Sequence, residues 1–252
     1  MTCRAVAVFT FVAGLLFGFR ADAALVTYDA SSGLPPESVG WVYHDEAIPP
    51  ATVTVSGGVL NLGSTLENRA FWDIDLVGFG ASGSEGMFME STLRINSESH
   101  SVTGRGMEII TLGRSDGVTG SSIAVYAWED RIFVQDTADT TVGTHFLDTT
   151  DGFHTYRAEI LDDAFWIFVD NVLVLSGSTP IGPFGTPISY AKFGDGSEFS
   201  DNNTDWTTIV VGTLDEIGGP SIPEPSSLTL LALGACGIAG RGLRRRVRKQ
   251  PD

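Results

Sequence analysis

Cysteine is almost missing from this chain. Cys3 and Cys236 are the two in 252 residues, and each lies in an apolar stretch at one end. The body between them therefore has no disulfide, no thiolate metal site and no cysteine nucleophile. Positive charge is scarce as well. Between Ala24 and Gly219 there are seven basic and 28 acidic residues, a formal charge of −21, against −16 for the whole chain. A field of that sign disfavours nucleic acid, anionic membranes and polyanionic polymers as partners. It is compatible with neutral glycans, cations or basic surfaces, and solubility outside a cell accounts for it equally well. No amphipathic helical period runs through the body. Its stability must come from a core, and about 200 residues bury enough surface for one sizeable domain.

Long apolar runs are confined to the two ends. Arg4 precedes an apolar run from Ala5 to Phe19, and Ala21-Asp-Ala23 has the small-x-small pattern of a cleavage site. Residues 1–23 therefore read as a signal peptide, with Ala24 as the mature start and a permanent anchor as the alternative. At the other end, Pro223 and Pro225 flank Glu224 and keep that segment extended. Ser226 and Ser227 can cap a helix entering the apolar run Leu228–Ala239. Counted over residues 226–243, the segment approaches the ~20 residues that a bilayer requires. Arg241, Arg244, Arg245, Arg246, Arg248 and Lys249 follow. By the positive-inside rule that basic tail, residues 241–249, stays cytoplasmic and the body lies outside. The alternative is a buried helix with a loose basic tail, but so dense a basic cluster makes a poor neighbour for a core.

The Pro223-Glu224-Pro225 motif, the short transmembrane helix and the Arg-rich end, in that order over residues 222–249, resemble the PEP-CTERM sorting segment. The first motif position holds Ile222 rather than the commoner Val. The resemblance implies recognition by an exosortase, a membrane transpeptidase that cleaves near the motif and releases or re-attaches the exported body. It also implies an association with extracellular polysaccharide production and contact with the bilayer through the C-terminal helix.

Residues 24–219 read as strands. Apolar and polar residues alternate in Ala51–Ser56 and Phe88–Ile95, with further runs at Gly106–Leu112, Ser122–Trp128, Arg131–Gln135, Phe153–Ile160, Phe165–Val169 and Val172–Leu175. Turn residues separate them, among them Asp162-Asp163 and Asp170-Asn171. Many short strands at this spacing predict an all-β sandwich or barrel. The segment Thr149–Gly177, with His-Thr-Tyr-Arg opening one strand and Val-Asp closing the next, resembles the strand triplet of laminin-G-like and concanavalin A-like jelly rolls. Gly106–Gly117, Arg131–Gln135 and a final strand Thr207–Ile217 fit the same pattern. The resemblance covers about Phe88 to Ile217 and implies a jelly-roll β-sandwich, a fold that carries lectins, adhesion modules and glycanases alike.

The densest set of oxygen ligands is the run Gly194–Asp205, read as a loop. Asp195, Glu198, Asp201, Asn203 and Asp205 are the candidate ligands for calcium (Ca2+), which takes six to eight oxygens. The spacing is not that of an EF-hand, and a solvated acidic loop explains the run equally well. Gly78-Phe-Gly-Ala-Ser-Gly83 matches a dinucleotide-binding glycine pattern, but no helix or βαβ pattern follows it, so it reads as a loop. The four histidines are scattered, and His154 reads as structural. Glycanases on jelly rolls need two carboxylates facing one cleft, and the Glu-x-Asp-x-x-Glu strand of the relevant glucanases is absent; no residue qualifies as catalytic. Trp206 and Trp128 are the candidate platforms for stacking on sugars, with burial in the core as the competing role. Three functions remain open: a non-catalytic module that binds neutral extracellular glycan or is structural, a glycoside hydrolase or lyase, and an adhesion protein with protein partners.

Overall fold

The strand alternation is realised in a computed structural model that describes residues 25–46, 50–65, 69–77, 86–100, 106–115, 119–136, 140–179, 182–183, 189–196 and 200–217. The predicted signal helix (1–23), the PEP-CTERM segment (222–249), Gly78–Gly83 and Glu198 lie outside these residues. Among the described residues no helix is long and apolar enough to cross a membrane.

The strands are β1 (Val26–Asp29), β2 (Val42–Asp45), β3 (Thr52–Ser56), β4 (Val59–Ser64), β5 (Ala70–Asp75), β6 (Met87–His100), β7 (Met107–Ser115) and β8 (Thr119–Trp128). They continue with β9 (Arg131–Asp136), β10 (Thr141–Phe146), β11 (His154–Leu161), β12 (Ala164–Val169), β13 (Val172–Ser178), β14 (Gly182–Pro183), β15 (Ser189–Asp195) and β16 (Ser200–Thr213). Sheet I runs β13-β12-β11-β6-β16-β4-β3, with β1 also on β16; sheet II runs β10-β9-β8-β7-β15-β5-β2, with β14 on β8. Neighbours such as β6–β16 and β7–β15 are distant in sequence and antiparallel. The chain thus crosses repeatedly between two stacked sheets, which is the connectivity of a jelly-roll sandwich.

Period-2 alternation decides which side chains enter the core. On β6, Met87, Met89, Leu93 and Ile95 point inward; on β11, Tyr156, Ala158 and Ile160 do; on β8, Ile123, Val125 and Ala127 do. The turns are those the sequence predicts. Asp170 and Asn171 both have positive φ (50° and 65°), as a two-residue I′ hairpin requires, and Asp162 (φ 54°) opens the β11–β12 turn. The expected final strand Thr207–Ile217 is displaced: β16 begins at Ser200 and ends at Thr213, and Leu214–Ile217 turn as a 3-10 helix.

His154 is structural, as its position at the head of β11 predicts. Its Nδ1 lies 2.8 Å from Asp170 and its Nε2 lies 2.7 Å from Asp151, and Asp170 also accepts the Thr155 N–H at 2.9 Å. Partial burial opposes protonation of the imidazole, but the two carboxylates outweigh it and its pKa is raised. Burial likewise opposes ionisation of Asp170, yet His154 and the Thr155 N–H hold its pKa below the usual range. The His154 contribution is complete below its unfolded pKa of about 6.5 and fades as pH rises through the raised folded value. The Asp170 contribution is complete above about 3.9 and is lost as pH falls through its lowered value. The clasp is therefore strongest between about pH 4 and 6.5. Since both carboxylates are largely exposed, His154→Gln is expected to cost about 0.5–1 kcal/mol at pH 5.5 and little at pH 9. Denaturant melts at the two pH values measure this; equal losses at both would remove the charge from the explanation.

Candidate functional site

The outer face of sheet II carries a small polar recess, built where two central strands bulge together. The β7–β8 register shifts between Glu108 and Ile110, and the β15–β7 register shifts between Lys192 and Gly194. Bulges turn side chains out of simple alternation, and here they bring a carboxylate and an ammonium together. Lys192 Nζ sits 2.7 Å from Glu108 Oε1, and the Thr111 hydroxyl donates to the same oxygen. The Glu108 side chain is only 3% exposed. Gly194 (φ +119°) is demanded by the bulge, because a Cβ there would fall 2.7 Å from the Ala70 carbonyl oxygen. Gly196 closes over the pair: a Cβ on it would lie 2.0 Å from Glu108 Oε2.

Around this pair lie Tyr190, Tyr126, Ser122, Arg69 and Asp136, lining a cavity of about 210 Å³. Burial pushes the Tyr190 phenol up, while a hydrogen bond from Ser122 and the charge of Lys192 pull it down. Lys192 also lies 4.9 Å from the centre of the Phe71 ring, which stacks on His44. The volume is below the ~300–1,000 Å³ of a drug-sized pocket, so the recess is small. Nothing in the sequence reading singled out these residues. Their signal was Lys192, the one lysine between the two termini, set between Ala191 and Phe193.

The run Gly194–Asp205 is not one loop: Asp195 ends β15, and Asp201, Asn203 and Asp205 lie on β16. Asp195 points inward and is fully buried, accepting from the Ser64 hydroxyl and from Asn202 Nδ2 at 2.9 Å. Asp201, Asn203 and Asp205 alternate onto the opposite, outer face of sheet I. Of the proposed calcium ligands within the described residues, Asp195 therefore faces the core from sheet II, while Asp201, Asn203 and Asp205 face outward from sheet I. Among the described residues no group of three or more His, Cys, Asp or Glu is arranged to hold a metal ion.

Trp206 is not a surface platform. It is fully buried, with its ring 5.1 Å from Phe193 and its Nε1 donating to Thr204 at 3.1 Å. Residue 206 faces inward because Asn202, Thr204 and Trp206 share the core side of β16. Trp128 does lie on the outer face of sheet II, but its ring is already occupied. His100 stacks on it at 3.8 Å and the Arg131 guanidinium sits 4.6 Å from its centre.

Comparison with known proteins bears on both parts of the chain. Residues 221–246 match the PEP-CTERM protein-sorting motif. The motif marks exported proteins that are sorted at the cell envelope through recognition by an exosortase. A search of curated proteins by sequence finds no relative. Among solved structures, the carbohydrate esterase of Shiga toxin-encoding bacteriophage phi24B is similar at TM-score 0.50 and 12% identity, over 75% of this chain and 97% of that one. Laminarinase from Flavobacterium sp. UMI-01 aligns at TM-score 0.48 and 16% identity, over 74% of this chain and 98% of that one. Carbohydrate-binding module CBM66 from Bacillus subtilis aligns at 0.41 and 15%, over 67% and 92%. At 12% identity the likeness to the esterase is one of fold alone.

Proposed function

We propose that the chain is an exported, exosortase-sorted protein of the cell envelope or extracellular matrix, whose sandwich holds a neutral glycan in the sheet II recess without cleaving it. The observation that carries this is the state of Glu108. A glycosidase needs one carboxyl free to approach the glycosidic oxygen and a second about 5–10 Å away. Glu108 is committed to Lys192 and Thr111 on one oxygen and closed over by Gly196 on the other, at 3% exposure. It anchors the recess rather than meeting a substrate. The hydroxyls of Tyr190 and Ser122 and the Lys192 ammonium, which is 24% exposed, remain to meet sugar hydroxyls.

Hydrolysis is the second reading, because Asp136 lines the same recess as Glu108. One experiment separates the two: the full chain in mild detergent on an array of neutral oligosaccharides, with a parallel assay of reducing ends. Tyr190→Phe removes one hydroxyl and keeps the packing. It is expected to weaken binding about three- to tenfold, the worth of one hydrogen bond, with no sugar released by wild type. Release of reducing ends that disappears in Asp136→Asn would establish the hydrolase instead.

A further inference from the structure

The outer face of sheet I carries a second ordered polar surface, on the side of the sandwich opposite the recess. Three adjacent strands build it. Asn61 of β4 pairs in register with Asp205 of β16, which pairs with Arg94 of β6. Asn61 Nδ2 donates to Asp205 at 2.8 Å and to Asn203 at 3.1 Å; Arg94 donates to Asp205 at 2.7 Å; Asn96 donates to Asn203 at 2.8 Å. Burial works against ionisation of Asp205, but the donors Asn61, Arg94 and Asn96 prevail and its pKa is lowered. At one end the Arg94 guanidinium lies 5.2 Å from the centre of the Phe153 ring, which is 41% exposed. At the other, Asn203 forms part of the wall of a cavity of about 560 Å³ that also takes in Thr52, Ser97 and Asp201.

This network lies off the hydrophobic core. The core packs on the opposite face of the same strands, and polar pairs near the surface stabilise little, about 0–1 kcal/mol each. Fixing these polar side chains, Arg94 above all, costs rotamer entropy. A pre-ordered set of donors and acceptors beside a half-exposed ring lowers the cost of capturing a ligand. The chemistry of that ligand follows from the charges. Arg94 is neutralised by Asp205, so no cation is left for a polyanion, and the cavity wall adds Asp201. Amides, a carboxylate and hydroxyls together read paired donor–acceptor groups, which neutral sugars present as hydroxyls.

We infer that the outer face of sheet I is a second neutral-glycan site, independent of the sheet II recess, and that one sandwich bridges two glycan strands. Neutral hexasaccharides of glucan, galactan, mannan and xylan, arrayed and probed with the full chain in mild detergent, test it. Phe153→Ala removes a half-exposed ring and Asn61→Asp keeps the side-chain size; thermal melts verify that each variant folds. Each is expected to lower binding at least tenfold for array members that Tyr190→Phe leaves unchanged. With the matching long polymer, wild type is expected to raise solution viscosity and either single-face variant to abolish the rise. Wild-type binding that Phe153→Ala and Asn61→Asp leave intact, or no binding to any array member, would overturn the second site. Loss of binding in Tyr190→Phe alone bears on the recess and not on this face.

Discussion

Trp206→Ala is expected to destabilise the body by about 3–5 kcal/mol, the usual cost of emptying a buried aromatic site. For a domain of this size that is a fall in melting temperature of about 6–20 °C. Trp206 sits at the meeting point of both sheets. Phe193 of sheet II lies against it, and Trp72 and Trp41 pack on the other sides of Phe193, at 5.1 and 4.9 Å between ring centres. Rings in such a cluster cannot collapse far into a void, so the cavity term stays large. The substitution also removes the indole donor to Thr204, a buried hydroxyl. Trp206→Phe keeps most of the volume and is expected to cost less than half as much. Thermal and denaturant melts measure both; an alanine variant that melts like wild type would mean that the ring is not where the packing places it.

Lys192→Met is expected to cost about 3–5 kcal/mol, because it strips the counter-charge from a carboxylate that is almost wholly buried. The penalty belongs to the stranded Glu108 and not to the loss of an attraction. Removing both charges, as Glu108→Gln with Lys192→Met, should therefore recover most of the stability, since a neutral pair of similar shape carries little desolvation cost. Denaturant melts of the wild type, the two single variants and the double variant form the cycle. A Lys192→Met loss under 1 kcal/mol, or a double variant as weak as that single one, would show that Glu108 finds compensation elsewhere. The Lys192 ammonium is also one of the groups set to meet sugar, so ligand binding should fall in the single variant and stay low in the double, although stability returns.

Much of the sandwich was legible because surface-facing and core-facing residues alternate in long strands such as β6 and β11. The hairpin residues Asp170-Asn171 were legible because few residues accept positive φ. The acidic run before Trp206 was misread for a physical reason. Asp195, Asn202 and Thr204 face inward, where alternation predicts apolar side chains. Asp195 accepts from Asn202 and Ser64 across two sheets, and Thr204 accepts from Trp206, a solution that no local window of sequence reveals. The recess was hidden likewise, since Glu108 and Lys192 lie 84 positions apart in sequence and meet only because two bulges coincide.

The antiparallel pairing of β1 with β16 sets Val26 opposite Val211, so the chain enters and leaves the sandwich at one end. Were the body tethered by its C-terminal segment and a polymer held on the proposed glycan faces, every pull would pass through β16. That strand is 14 residues long, lies inside sheet I and is bonded to β6 along its length, with β4 and β1 on its other edge. Tension along β16 acts parallel to the strand and across all of those bonds at once. The rungs are loaded in shear, and none can be peeled before its neighbours. The strand that leads to the sorting segment is thus also the part of the sandwich best built to resist extension.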